Sequence, residues 1–515
     1  MQEKGSAFCG AATSLEVRYT GKPVSGWGGL VAVMRYLEQL GVRQVLAHAL
    51  PDGRTSPNQI PVVEVVLALF AAVLTGGRRF AHVERLRSDE VVQAILGVQR
   101  MPSAMTLTRY FGGLVRSQIE HLSEVLGQFV LRRLRAPALG AVLDLDSTVF
   151  ERYGRQQGSL KGYNPRKHGR PSHHPLLAML AEAKVVLHAW LRSGNTASAR
   201  GVKAFLAETL AKLPPDFRLY ALRADSGFFV TDFLAELERR ALPYVIAVRM
   251  NPHLRRTVAG IAQWTPFARG LEAAETSYQA YGWPAPRRLV VVRETLRERP
   301  EARGRKLLEV PGYTFHVLVT TLRHDPVPTW RFYNSRAESE NRIKELKEDF
   351  GADGFCLHSF DGTEAAFRLI CFLFNLIADF KREVTQNESP RLMTLRTRLL
   401  VIGAIRGADG RQPVLRLGLR GRWRQRFAAL LARIAALPVS TVAQFAADQN
   451  NPVPRPWKPP PPRFQPPLLS TLNEVFGLNH GAPHVRVHNA QSIVIARNPR
   501  RCDADNYPLR RRLRK

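Results

Sequence analysis

Cysteine is scarce in this chain: Cys9, Cys356, Cys371 and Cys502 are the four in 515 residues, and no two form a Cys-x-x-Cys pair. That spacing indicates neither a disulfide framework nor a cysteine zinc site, and it fits a reducing compartment. Long apolar runs are lacking too. The most apolar stretch, Val62 to Leu74, is too short to span a bilayer and contains Glu64, so it reads as a buried helix. The opening residues, MQEKGSAFCGAATSLEV, hold no apolar core of signal-peptide length. A cytoplasmic protein with no membrane partner is therefore expected. Acids are the third shortage. Asp plus Glu is 43 against 75 for Lys plus Arg, a net charge of +32. An excess of that size asks for a polyanionic partner. The length and the 45% hydrophobic content allow several packed domains, unlike a small RNA-coating protein.

What is present divides by its patterning. Residues 1–135 read as a helical region. Pro61 opens a helix through VVEVVLALFAAVL that stops at Gly76-Gly77, and Ser103 or Thr106 suits the N-cap of a later one. Arg85, Arg87, Arg100 and Arg109 on these short helices fit either a helix-turn-helix that grips DNA or a plain helical subdomain. From Leu139 the pattern alternates. The order strand-strand-strand-helix-strand-helix-strand over 136–250 matches a mixed α/β sheet of the ribonuclease H type. Residues 251–322 carry the runs LEAAETSYQA, RRLVVVRETLR and YTFHVLVTTL, read as a mostly antiparallel β insertion. The sheet domain resumes over 323–385 and ends in the apolar helix 362–384. Residues 386–450 read as a basic helical region. Seven arginines lie between Arg406 and Arg426 with one acid, Asp409, a one-signed clustering that suits DNA backbone contact. Residues 451–515 combine a Pro-rich linker with a basic tail and are expected to be disordered. No short internal repeat is present.

The stretch that organises the rest is Tyr333 to Lys347, YNSRAESENRIKELK, which has no Gly or Pro and many good helix formers. On a helix, Glu340 lies about 40° round from Arg336 and Lys347 about 20°. One narrow face thus carries Arg, Glu and Lys, with Tyr333 just ahead of it. Three acids upstream, on two strands, share this interest. In GAVLDLDSTVF, Asp144 and Asp146 lie on one strand face, and RLYALRADSGFF ends in Asp225. Acids in mid-strand are costly unless compensated. Divalent cations supply a reason, since hard oxygen ligands suit Mg²⁺ or Mn²⁺ and a pair of such ions serves both sides of a phosphodiester displacement.

On these residues the chain resembles an insertion-sequence transposase of the DDE class, with a ribonuclease H-like catalytic domain. More narrowly, it resembles the group with a Tyr-Arg-Glu-Lys signature spaced Y-x2-R-x3-E-x6-K, here Tyr333, Arg336, Glu340 and Lys347. The triplet Asp146-Ser147-Thr148 and the run Asp225-Ser226-Gly227-Phe228 match the group's two Asp motifs. The resemblance covers about residues 60–430. It implies that Asp146, Asp225 and Glu340 hold two Mg²⁺ or Mn²⁺ ions, with Asp144 as the alternative ligand to Asp146. It implies that Tyr333, Arg336 and Lys347 bind phosphates. Lys161, Arg166, Lys167, His168 and Arg170 form a basic loop expected to touch DNA. The implied partners are double-stranded DNA, at transposon ends and target, and a second copy of the chain; nucleoid association follows. Rival readings are a different ribonuclease H-like nuclease and an inactive or domesticated DNA-binding protein. His168, His173 and His174 read as surface residues, and Trp283 or Tyr313 as core aromatics rather than platforms for a flipped base.

Overall fold

The computed structural model describes residues 18–53, 56, 58–162, 164, 167–295, 312–385 and 390–438. Arg166 and the whole Pro-rich and basic tail lie outside the described residues.

The N-terminal region is helical, as the pattern requires. Short helices Leu30–Gln39 and Val42–Ala49 lead to α1, Val62–Leu74, which begins directly after Pro61. Eleven of its thirteen side chains are buried, the expected fate of a helix apolar on all sides. The helix Ala104–Gly112 is capped by Ser103, whose side chain accepts the Thr106 N–H at 3.1 Å. Next comes α2, Arg116–Leu131.

A nine-stranded sheet forms the centre. Its strands in chain order are β1 (Ala141–Ser147), β2 (Leu176–Leu180), β3 (Val185–Trp190), β4 (Leu219–Ala224), β5 (Tyr244–Ala247), β6 (Thr265–Ala268), β7 (Leu271–Tyr278), β8 (Arg287–Thr295) and β9 (Tyr313–Thr320). In space they run β6-β7-β8-β9-β5-β4-β1-β2-β3. The five strands β3-β2-β1-β4-β5 have β1, β4 and β5 parallel and β2 antiparallel, the ribonuclease H arrangement that the element order predicts. Parallel neighbours need crossovers. These are α3 (Val202–Lys212), between β3 and β4, and α4 (Thr231–Arg239), between β4 and β5. The insertion is antiparallel and extends the same sheet, because β9 pairs with β5 at Leu318↔Ala247.

After the sheet come α5 (Pro326–Asn334), α6 (Ala337–Glu348) and α7 (Phe360–Val384). The long helix α7 is buried along most of its length and covers the edge strand β3. Asn375 accepts the Val186 N–H at 2.7 Å and donates to the Val186 carbonyl at 2.8 Å, satisfying backbone groups that an open edge would expose.

One expectation is corrected here. Within 386–450, expected to be helical, the described residues are not helical throughout. Ala404–Asp409 and Gln412–Leu417 form a hairpin, joined at one side by Val24–Ser25, and only then does α8 (Gly421–Ala435) begin. Gly410 at φ +59° makes the tight turn, which a side chain would strain. A continuous core joins residues from Leu30 to Ile434.

Candidate active site

Strands β1 and β4 are adjacent and parallel, so their C-terminal ends emerge at the same edge of the sheet. Leu145 pairs with Ala224, which brings Asp146 and Asp225 side by side one step further on. Asp146 Oδ1 accepts its neighbour's Ser147 N–H at 2.7 Å. Asp225 Oδ1 accepts the Gly227 N–H at 2.9 Å and opens the single 3-10 turn Ser226–Phe228. A Cβ on Gly227 would meet Ser198 Cβ at 2.9 Å, which explains the glycine at this point.

The signature segment reaches that edge through a helix break. A single helix from Tyr333 to Lys347 is the simplest reading of the sequence; instead α5 ends at Asn334 and α6 begins at Ala337. The cause is Arg223 on β4, buried at 2% exposure. Its Nη1 donates to the Phe332 carbonyl at 2.7 Å and to Ser335 Oγ. That carbonyl is the one a continuous helix would offer to the Arg336 N–H. The Arg336 N–H bonds back to Tyr333 at 3.0 Å instead, tightening the turn. Arg223 is itself held by Asp144, its register partner on β1, through two hydrogen bonds of 2.7 and 2.8 Å. Ser339 of α6 also donates to Asp144. Both carboxylate oxygens of Asp144 are thereby occupied. The sequence reading kept Asp144 as an alternative metal ligand; the structure gives it this buried pair.

The turn delivers Arg336 to the acids. This guanidinium is 4% exposed, with Nη2 at 3.0 Å from Asp146 Oδ2 and Nη1 at 2.5 Å from Glu340 Oε1. Its Nε is buried without a hydrogen-bond partner. Burial pushes the Asp146 carboxyl up to about 7; Arg336 opposes the shift, and repulsion from Asp225 and Glu340 adds to it. Burial works against the Arg336 charge, but Asp146, Tyr333, Asp225 and Glu340 together hold it protonated. Tyr333 is raised to about 12, first by burial, while Arg336 opposes and Asp225, Glu340 and Asp146 add to the rise. Five side chains from three distant segments thus lie within one another's fields. Among the described residues, no three His, Cys, Asp or Glu side chains stand close enough to form a ready-made metal cage. The Arg336 guanidinium occupies the position of a cation between Asp146 and Glu340. The donor set is nevertheless hard carboxylate oxygen, and the Glu340 side chain is 47% exposed at the start of α6. Hard carboxylate oxygen is the donor type that Mg²⁺ and Mn²⁺ take, so in kind these residues suit either ion.

The remaining candidates are spread more widely. Lys347 Nζ donates to the Val149 carbonyl at 2.8 Å, tying α6 to the loop after Asp146. Lys161 is exposed on the short strand Leu160–Lys161. Lys167 is paired with Glu151 at 3.0 Å and bonded to Tyr153 at 2.9 Å, and Arg170 lies over the Tyr153 ring at 4.6 Å. His168 is exposed, but His173 and His174 are buried, contrary to the surface reading. His173 bridges Arg152 Nε at 2.9 Å and the Gln157 carbonyl at 2.8 Å, and burial lowers it to about 4. Trp283 is buried against Arg287, as expected of a core aromatic. Arg223, Ser335 and Ser339 were not singled out from sequence. The available signal was an arginine in the apolar strand LYALRA, which needs a buried counter-charge as much as Asp144 does.

The profile of a family described as Transposase DDE domain group 1 matches residues 9–439. Among solved structures, the chain is similar to piggyBac transposase in a synaptic complex with hairpin DNA, determined by cryo-EM. The identity is 11% and the TM-score 0.40, over 84% of this chain and 87% of that one. No curated protein sequence matches the chain.

Proposed function

This chain belongs to the DDE transposases, domain group 1, and on that premise we propose that it cuts and joins DNA at the ends of an insertion sequence. The observation that carries the reading is the meeting of Asp146, Asp225, Glu340, Tyr333 and Arg336 at one edge of the sheet. Asp146, Asp225 and Glu340 are the proposed ligands for two Mg²⁺ or Mn²⁺ ions. Such ions, when bound, lower the pKa of a water and neutralise charge on the phosphate under attack. Released from Asp146 and Glu340, Arg336 presents a guanidinium that can fork onto two phosphate oxygens. The Tyr333 hydroxyl stays protonated at neutral pH and can donate to the same phosphate. Lys347 binds phosphate beside Arg336, and one of its three donors ties α6 to the loop behind Asp146.

The wider reading follows the same premise. Terminal inverted repeats are the bound DNA, and the freed 3′-hydroxyls are joined to target DNA. Two copies of the chain act together, because two ends must be brought to one place. Lys161, Lys167 and Arg170 contact the duplex, with Arg166 assigned the same role from the sequence alone, and the protein works in the cytoplasm on the nucleoid. The deciding experiment incubates the protein with the DNA that flanks its own gene, with Mg²⁺ or with EDTA, and maps breaks to the nucleotide. Metal-dependent nicks at the element's ends support the proposal. Binding with no nick under any metal condition would leave an inactive DNA-binding protein, and nicks only at branched DNA would indicate a different nuclease.

A further inference from the structure

Residues 404–435 contain eight arginines and one acid, Asp409. The fold turns seven of the arginines, Arg406 to Arg426, into solvent, on the hairpin, on the link that follows it and on the first turns of α8. Among the described residues none of these seven is paired with a carboxylate. Elsewhere on the surface arginines do find such partners, as Arg87 does in Glu84 and Arg239 in Glu236. Trp423 is 51% exposed in their midst, with Arg422 and Arg426 at 5.6 and 5.5 Å from its ring centre. The base beneath is firm: Phe427, Leu430 and Ile434 anchor α8 in the core. The basic face is therefore held in shape without a counter-charge of its own.

The hairpin carries its charge on both faces. Arg406 is opposite Leu415, and Arg416 is opposite Ile405, so the two arginines lie on alternate sides of the ribbon. Beyond the short pairing with Val24–Ser25 at its base the hairpin is a two-stranded ribbon, which fits the major groove of B-DNA, whose two walls are rails of phosphate. We propose that the 404–417 hairpin and the start of α8 form a second DNA-binding surface, which grips the backbone of a duplex without reading its sequence. Its elements are separate from those that carry the acids. The choice of DNA as occupant rests on the transposase reading, but the grip does not depend on the acid site's chemistry.

The test measures binding of the full chain to a duplex of arbitrary sequence, about 30 base pairs long and without element ends. Fluorescence anisotropy gives the dissociation constant across a salt series. Each phosphate neutralised contributes about 0.9 to the slope of log affinity against log salt. Replacing Arg411, Arg416, Arg422, Arg424 and Arg426 with Gln should make the slope shallower by about 2 to 4. Replacement with Lys at the same positions should keep most of it. Should the five-fold variant not fold, R411Q/R416Q and R422Q/R424Q/R426Q are measured separately, each at an unchanged melting temperature, and each should lose its share. An unchanged slope in folded variants would overturn the proposal, as would a lysine variant that falls as far as the glutamine one. Nicking of element ends by the wild-type chain is scored in parallel. If the slope falls as expected while no wild-type nick is found, the transposition reading fails and the binding surface stands.

Discussion

Arg223 and Phe332 are 109 residues apart, and the hydrogen bond from Arg223 Nη1 to the Phe332 carbonyl spans 2.7 Å. That bond takes away the acceptor a continuous helix needs at this turn. The break it leaves at Ser335-Arg336 sets the direction of α6, and with it the approach of Arg336 and Glu340 to Asp146. The guanidinium stays in place because Asp144 grips its other side. A buried ion pair of this kind is weak evidence for stability, but breaking it is expensive.

Asp144→Asn should therefore act on the fold first. It leaves Arg223 charged and unpaired in the core, a loss of about 3–5 kcal/mol. Asp146→Asn removes a carboxylate that burial and like charges disfavour but that also pairs with Arg336, which keeps Glu340, so it should cost less stability than Asp144→Asn while abolishing nicking. Thermal melting of the two variants, paired with the nicking assay, separates these roles. A stable Asp144→Asn protein that binds DNA but no longer nicks, beside an unstable Asp146→Asn, would make Asp144 the ligand.

Glu340→Gln keeps the size and the hydrogen-bonding reach of the side chain while removing its charge. Nicking of end DNA should fall by at least about two orders of magnitude. Affinity for the same DNA should stay within a few-fold. Loss of binding with normal nicking per bound complex would contradict the assigned role.

Arg336→Gln takes away the cation shared by Asp146 and Glu340. Without added metal the variant should melt several degrees below the wild type, since at least one acid loses its buried partner. Millimolar Mn²⁺ should raise its melting temperature more than that of the wild type, because the ion meets no competing guanidinium. Equal Mn²⁺ shifts in both proteins would show that Arg336 and the metal do not share the acids.

Glu182, in the turn between β2 and β3, accepts the Val142 N–H with both oxygens at 3.1 Å. Burial pushes its carboxyl up from 4.5 to about 7, against the opposing backbone hydrogen bonds. The folded chain thus keeps a proton that the unfolded chain releases. Stability from this source is complete below about pH 4.5 and is lost as pH rises through 7. Glu182→Gln should match the wild type near the lower limit and exceed it at pH 8 by on the order of 2 kcal/mol. Denaturant melts across that range check the sign, and a gap that does not vary with pH would refute it.

Much of the scaffold could be read from local pattern. Val62–Leu74, the Ser103 cap, the strands that carry Asp144 and Asp146, and the apolar helix ending at Val384 follow from periodicity and turn residues alone. The hairpin at 404–417 was harder, because its arginines resemble a helix surface and its turn rests on one glycine. His173 and His174 sit in a polar, basic stretch that reads as surface, yet contacts from Arg152, Gln157 and Thr196 bury them. Arg223 escaped notice because nothing near it in the chain hints at a partner.

Read alone, the chain determined its residue types and their intervals: two Asp motifs on strands, a Tyr-Arg-Glu-Lys spacing, and a positive charge in need of phosphate. Those properties are local or compositional, so they survive without knowledge of the fold. Only the tertiary structure decided which mid-strand acid would be consumed by Arg223, and that Arg336 would stand between Asp146 and Glu340. Buried charges choose partners by distance in space, and here strand register and a broken helix set that distance across nearly two hundred residues of chain.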